Sequence, residues 1–249
     1  MVSLNQLRSQ FASGQLDSLE YQVQTNLNLY DSSDLESLAT QAVVGRHLHF
    51  LSLPQVFLDS SHALQVCLCE DGYPGWLNIQ DLALIQEATT LYQPPSITRT
   101  EIQERLPQVI AFTRAAMTQP NFYLWGGTVG PNYDCSGLVQ QAFCSQGIWL
   151  PRDAYQQEAF TQPIPNPSDN PADLIPNLQA GDLIFFGTPQ KATHVGIYLG
   201  DGFYIHSSGK EQGRNGIGIE QLSAEGDNVS QAYYKQVRGA GRVISSYQP

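Results

Sequence analysis

Positive charge is scarce in this sequence: 12 lysine and arginine residues stand against 23 aspartate and glutamate, for a formal net charge of −11. A field of that sign repels phosphate backbones and anionic lipid, so no nucleic acid and no membrane surface is expected as a partner. Its plainest use is solubility. Long apolar runs are also missing; nothing approaches 18 consecutive apolar residues, the length that would mark a membrane span. The opening Met1–Phe11 has no basic leader, apolar core and small-residue cleavage site, so no signal peptide is read there and a cytoplasmic location is expected. Cysteines number four. Cys67-x-Cys69 lacks a second cysteine or histidine pair at finger spacing, and Cys135 and Cys144 lie nine apart in one expected helix. Neither a disulfide nor a metal site is expected, and in a reducing compartment all four would be thiols.

Hydrophobic residues at 41% and charged residues at 14% describe a chain able to bury a substantial core, and 249 residues suit two domains. Apolar alternation over Tyr21–Tyr30, Val43–Leu53, Ala63–Leu68 and Trp76–Ile79, with turn signals such as Asp71-Gly72, predicts a small β-barrel over residues 17–88. Pro94-Pro95 stiffens a linker placed at 89–100. Beyond it, Ile102, Leu106, Val109, Ile110 and Ala116 share one helix face, with Pro107 marking a kink or the true start. A second helical stretch, Leu138–Phe143, follows Cys135-Ser136-Gly137 directly. Strands are then expected at Asp182–Phe186, Val195–Leu199, Phe203–His206 and Ile217–Glu220, giving an α+β domain over 101–249. Gln162–Asn177, rich in proline, asparagine and aspartate, reads as a surface loop.

A free cysteine is more often a small buried hydrophobe than a nucleophile. Cys135 differs by its setting: it stands at a helix start, where exposed N–H groups and the helix dipole favour thiolate, flanked by Asp134, Ser136 and Gly137 and preceded by Trp125-Gly126-Gly127. His194 begins one expected strand and His206 ends the next, and the turn Leu199–Gly202 makes them antiparallel neighbours. One imidazole can then act as base while the other fixes its tautomer. Cys67, Cys69 and Cys144, and His47, His49 and His62, are read as structural or solvent-facing.

Five ordered blocks carry a resemblance: Tyr123-x-Trp125-Gly126-Gly127, Asp134-Cys135-Ser136-Gly137-Leu138-Val139, Gly181–Phe186, His194–Tyr198 and Ile205-His206-Ser207. Together they resemble the NlpC-type cysteine peptidases, which cut murein peptides. The resemblance implies a papain-like α+β catalytic domain in which Cys135 is nucleophile, His194 base and His206 orienting residue. It also implies that the Tyr123 hydroxyl and the Cys135 N–H bind the oxyanion, with no cofactor. Upstream, Glu70-Asp71-Gly72-Tyr73-Pro74-Gly75-Trp76-Leu77 resembles the signature of bacterial SH3-like barrels.

That pairing is similar to a cytoplasmic subgroup that recycles wall peptides. It implies cleavage between γ-D-Glu and a diamino acid, diaminopimelate or lysine, in tripeptides or tetrapeptides with a free amino-terminal L-Ala. Glu36, Tyr73 and Asp134 match the positions that receive the amine, a group that needs carboxylate partners in a partly dry pocket. Ser136 and Asp153 match positions that contact the rest of the peptide, and Trp125 shapes the pocket floor. Ala154 departs from the Arg-Asp-Ser form of the subgroup and removes one hydroxyl contact. The rival expectations are a secreted wall-remodelling hydrolase of the same chemistry, which would cut blocked or glycan-linked peptides, and a non-catalytic wall-peptide binder. The oligomeric state is left open.

Overall fold

The computed structural model describes residues 2–14, 18–52, 62–168 and 170–249. Asp17 and Leu53, which end two of the expected segments, lie outside them. The chain packs as two units, one of Met1–Pro94, Trp125–Val129 and Gln248–Pro249, the other of Pro95–Leu124 and Gly130–Tyr247.

The first unit opens with helix α1 (Leu4–Ala12), started by Ser3, whose hydroxyl accepts from the Gln6 N–H. Among the described residues seven strands follow: β1 (Tyr21–Val23), β2 (Leu27–Tyr30), β3 (Leu38–Ala42), β4 (His47–Ser52), β5 (Ala63–Leu68), β6 (Pro74–Asn78) and β7 (Ile85–Glu87). They make one sheet in the order β3-β2-β6-β5-β4-β1-β7. Alternation reads through to burial, since Leu27 and Leu29 face the core on either side of exposed Asn28. The expected strand Tyr21–Tyr30 is two strands, and the one expected from Val43 begins at His47. Asparagine chemistry accounts for both breaks: Asn26 Oδ1 accepts from Val44 N at 2.9 Å, clamping a turn in which Gly45 takes φ +91°.

One buried ion cluster shapes the next turn. Arg46 pairs with Glu70 at 3.1 Å and with Asp71 at 2.7 Å, all three buried. Asp71 also accepts from Tyr73 N at 3.2 Å, so the cluster fixes the backbone that presents Tyr73. The segment Trp125–Val129 packs on β3: Gln41 Oε1 accepts from both Thr128 N and Val129 N at 3.1 Å. Gly126, at φ +76°, lies so close to Leu38 that a Cβ would come within 2.6 Å of its carbonyl oxygen. Within the stretch 101–249, Trp125–Val129 thus group with the first unit.

In the second unit α2 (Arg99–Thr118) begins three residues before the expected Ile102, because Thr98 and Glu101 form a reciprocal capping box; Pro107 sits inside the helix. After α3 (Cys135–Cys144) and α4 (Ala154–Phe160) come β8 (Gln162–Pro163), β9 (Leu183–Gly187), β10 (Ala192–Gly200), β11 (Phe203–Ser208), β12 (Gly216–Gln221), helix α5 (Asn228–Tyr234) and β13 (Val237–Arg242). The sheet order is β12-β11-β10-β9-β13-β8. Helix α3 packs its apolar face, Leu138, Val139, Ala142 and Phe143, into a core shared with Leu183, Phe185, Val195 and Ile197. This is the expected α+β arrangement, and it sets the start of α3 against the strands that carry both histidines. Among the described residues no helix is long and apolar enough to cross a membrane, and no group of three or more His, Cys, Asp or Glu is placed to hold a metal ion.

Candidate active site

Cys135 is the first residue of α3 and is 5% exposed. Asp134 caps the helix, its Oδ1 accepting from Gly137 N at 2.6 Å. The Cys135 sulfur takes hydrogen bonds from the N–H groups of Ser136 and Val195, the latter one residue past His194, and the Tyr123 hydroxyl bonds to it as well. Tyr123 is held by its neighbours: Phe122 N donates to Asn132 Oδ1 at 3.0 Å and Leu124 N to Tyr133 O at 3.3 Å. The same Tyr133 carbonyl accepts from Ser207 Oγ at 2.6 Å, which ties β11 to the chain two residues before the nucleophile candidate.

On the sheet, His194 Nε2 lies 2.7 Å from His206 Nδ1, with the rings nearly perpendicular at 84°. The pairing Ile197↔Ile205 makes the two histidines diagonal neighbours, with Gly196 beside His206. A Cβ at Gly196 would approach Ile205 O to 3.0 Å and His206 Cβ to 3.3 Å, so the absent side chain leaves room for the ring pair. Tyr233 of α5 stacks on His194 at 4.4 Å and anchors its own hydroxyl to Ser208 Oγ at 2.7 Å. Because Nε2 of His194 is engaged with His206, Nδ1 is the ring atom left for Cys135.

Burial dominates the electrostatics. It pushes the Cys135 thiol up to about 12, helped by the Asp134 charge and opposed by the two N–H groups and Arg152. His194 is held well below 6.5 by burial and then by His206. His206 is held at about 3 by burial and then by the Arg214 charge, and burial keeps Tyr123 protonated far above its usual range. The helix start acts in the expected direction, the Ser136 N–H favouring thiolate, but burial of a lone charge outweighs it. The resting arrangement is a neutral thiol beside neutral imidazoles and a phenol that can donate.

A pH dependence follows. Lowering the His194 pKa keeps the base unprotonated as pH falls through 6.5, and raising the thiol pKa keeps the proton on sulfur up to about 12. Peptide hydrolysis, followed as kcat at saturating peptide, should stay flat between about pH 8 and pH 6 and fall only below that. A half-maximal loss at pH 6.5 or higher would contradict this electrostatic picture.

Asp134 carries more than the cap. Its Oδ1 accepts from Arg152 Nη1 at 3.1 Å and its Oδ2 from Nη2 at 2.5 Å, while Arg152 Nη1 also donates to Ser136 Oγ at 3.0 Å. Asp134, Ser136 and Arg152 are all buried. The carboxylate expected to share a substrate ammonium is thus already paired in both oxygens, and Ser136 is part of the same cluster. Arg152, like Tyr233, was missed in sequence, where it reads as one more basic residue. Asp153 heads α4, donating its N–H to Gln156 Oε1 at 3.0 Å, and its side chain bonds to the Tyr155 hydroxyl. Ala154 behind it is buried.

On the first unit, Glu36 is exposed in the turn between β2 and β3. Asp34 Oδ1 accepts its N–H at 3.0 Å and the Ser32 hydroxyl at 2.6 Å, and Leu35 takes φ +61°, so a local turn presents the Glu36 carboxylate to solvent. Tyr73 is half-buried and Trp125 is 71% exposed. The structure therefore gathers Cys135, Tyr123, His194 and His206 in one place and Asp134, Ser136 and Arg152 beside it within the second unit, whereas Glu36, Tyr73 and Trp125 belong to the first.

Parts of the chain are similar to known proteins. The NlpC/P60 family profile matches residues 120–238, and that of the bacterial dipeptidyl-peptidase Sh3 domain matches residues 29–82. A γ-D-glutamyl-L-lysine dipeptidyl-peptidase of Bacillus cereus is 34% identical over 125 residues, 49% of this chain and 32% of that protein. A probable endopeptidase of Mycobacterium tuberculosis is 39% identical over 99 residues, 39% of this chain and 23% of that protein. The chain thus spans about a third or less of the length of these relatives. The crystal structure of an NlpC/P60 family protein from Bacillus cereus aligns over 95% of this chain and 66% of that one, at 24% identity and a TM-score of 0.44.

Proposed function

Given that the chain belongs to the NlpC/P60 cysteine peptidases through its second domain and carries a bacterial dipeptidyl-peptidase SH3 domain before it, we propose that it hydrolyses the γ-D-glutamyl-diamino acid bond of murein peptides with a free amino-terminal L-Ala. The observation that carries this reading is the buried Cys135 sulfur at a helix start, in hydrogen-bond reach of the Tyr123 hydroxyl and of the Val195 N–H, on the strand that sets His194 2.7 Å from His206.

Burial disfavours either charge alone, so the proton leaves sulfur for His194 Nδ1 as sulfur attacks the γ-glutamyl carbonyl carbon. The C=O electrons move onto oxygen, where the Tyr123 hydroxyl and the Cys135 N–H, one of the unpaired donors at a helix start, hold the oxyanion. The C–N bond then breaks as His194 returns its proton to the leaving amine. Water enters next, gives a proton to His194 and splits the thioester, which frees the dipeptide and restores the thiol. His206 holds the base in place throughout.

Glu36 and Tyr73 are the residues we assign to the substrate ammonium, with Glu36 supplying the unspoken-for carboxylate. Asp134, paired with Arg152, acts more through the electrostatics and placement of Cys135 than as a free anion. Ser136, Asp153 and Trp125 are assigned to the remaining peptide. A relative named for γ-D-glutamyl-L-lysine cleavage supports the bond and the amine requirement, as does the matching first domain. On this reading the substrate is a freed peptide, as in wall-peptide recycling.

L-Ala-γ-D-Glu-lysine and its diaminopimelate counterpart, each with an N-acetylated twin, provide the test. Mass spectrometry should show L-Ala-γ-D-Glu released from the free peptides and the acetylated ones left whole. Equal cleavage of the acetylated twins would instead favour a wall-remodelling endopeptidase.

A further inference from the structure

Behind His206 lies an ion pair that the relay of three residues does not use. His206 Nδ1 is engaged with His194, whereas its Nε2 is buried with no hydrogen-bond partner among the described residues. Such an orphaned ring nitrogen is uncommon and costs stability. The acid facing it is Glu220 of β12, whose buried Oε1 lies 3.8 Å from Nε2. Strand pairing puts Glu220 opposite Tyr204 and Gly218 opposite His206, so acid and imidazole meet diagonally. Arg214 bonds to the same carboxylate, and Ser230 Oγ donates to its other oxygen at 3.3 Å. The guanidinium runs across Gly218, where a Cβ would fall within 2.3 Å of it. Only glycine opposite His206 leaves the arginine this position.

A neutral imidazole carries one N–H, and the chain of contacts allows two arrangements. In the first, His194 Nε2–H donates to His206 Nδ1, His194 Nδ1 is bare toward Cys135, and the His206 proton sits on Nε2 facing Glu220. In the second, His206 Nδ1–H donates, His194 carries its proton on Nδ1, and no base faces the thiol. We propose that Glu220, balanced by Arg214, is a positioning residue that selects the first arrangement and so makes His194 competent as a base. This rests on the reading of Cys135 and His194 as nucleophile and base. At 3.8 Å the contact is electrostatic rather than a hydrogen bond in the free protein, and it gains strength when His194 becomes imidazolium.

Arg214 has its own part. An unbalanced carboxylate against His206 would draw a second proton onto the ring, whereas the arginine keeps the ring neutral. In keeping with that, the Arg214 charge is second only to burial in holding the His206 pKa down. The groups facing His206 are His194 on β10, Tyr204 on its own strand, Glu220 on β12, Tyr233 on α5 and Arg214 ahead of β12; Asp227 adds its charge at Glu220.

Nitrogen-15 NMR of the wild-type protein, without substrate, reads the tautomers directly. Nε2–H on both His194 and His206 is expected; Nδ1–H on His206 would overturn the proposal even if the peptide is cut as proposed above, and a wrong substrate would leave it standing. Kinetics provide the second arm. Glu220→Ala should lower kcat about 10- to 100-fold with KM unchanged, the loss typical of an outer partner that orients a functional imidazole. Glu220→Gln, close in shape but uncharged, should recover little of it, because the contact is electrostatic. Arg214→Met should move the acid limb of the pH profile upward. Wild-type kcat in Glu220→Ala, or an acid limb unmoved in Arg214→Met, would overturn it.

Discussion

Cys135→Ala will lower turnover of the L-Ala-γ-D-Glu peptides by about 10⁵- to 10⁶-fold while leaving the melting curve close to that of the parent chain. The size follows from the unity of a nucleophile and its base, whose removal singly costs nearly as much as removing the whole set. No other thiol can take over. Cys144 ends the same helix nine residues on, roughly 13 Å along its axis at 1.5 Å per residue. Cys67 and Cys69 belong to the first unit, and burial pushes the Cys67 thiol up to about 11 and the Cys69 thiol further still. The substitution removes one sulfur atom from a helix start whose cap is made by Asp134, so the fold has little to lose. The check is initial rate at saturating peptide beside a thermal melt of the same preparation. Residual turnover above about 1% would mean that Cys135 is not the nucleophile.

The parts of the site that were legible in sequence are those fixed by local geometry. Cys135 opens a helix because Asp134 caps it, and a residue pair of that kind announces itself over four positions. His194 and His206 approach because the turn at Leu199–Gly202 folds β10 onto β11, again a short-range event. The burial pattern of β2, and that of β5 from Leu64 on, likewise follow from alternation alone. What stayed hidden depends on partners distant in sequence. Arg152 reaches back to Asp134 over 18 positions and Tyr233 stacks on a histidine 39 positions earlier, and neither leaves a periodic trace. Gln41 gathers the N–H groups of Thr128 and Val129 across 87 and 88 positions, which no domain boundary drawn from composition could anticipate. Strand β13, Val-Arg-Gly-Ala-Gly-Arg, has too little apolar alternation to read as a strand and is recruited by pairing with β9. The proton affinity of Cys135 is half legible for the same reason: the helix start is visible in sequence, whereas the depth of burial that outweighs it is a property of the whole fold.

Arg152→Met should severely destabilise the second unit. The exchange is close in volume, so its effect isolates charge and hydrogen bonding. It would leave the Asp134 carboxylate buried, with Gly137 N and Ser136 Oγ still bonded to it but without a cation. Breaking a buried pair from one side costs about 3–5 kcal/mol, a large part of the roughly 5–15 kcal/mol that holds a domain folded. Arg152 also opposes the rise in the Cys135 thiol pKa, so whatever protein remains folded should turn over more slowly. Asp134→Asn in the same background separates the two effects. Asparagine still caps the helix but carries no charge, so the double variant should regain much of the stability lost in Arg152→Met, a coupling that a double-mutant cycle measures directly. Urea unfolding followed at the second unit provides the free energies. If Arg152→Met unfolds at the parent midpoint, or if the two substitutions simply add, the buried pair contributes no net stability.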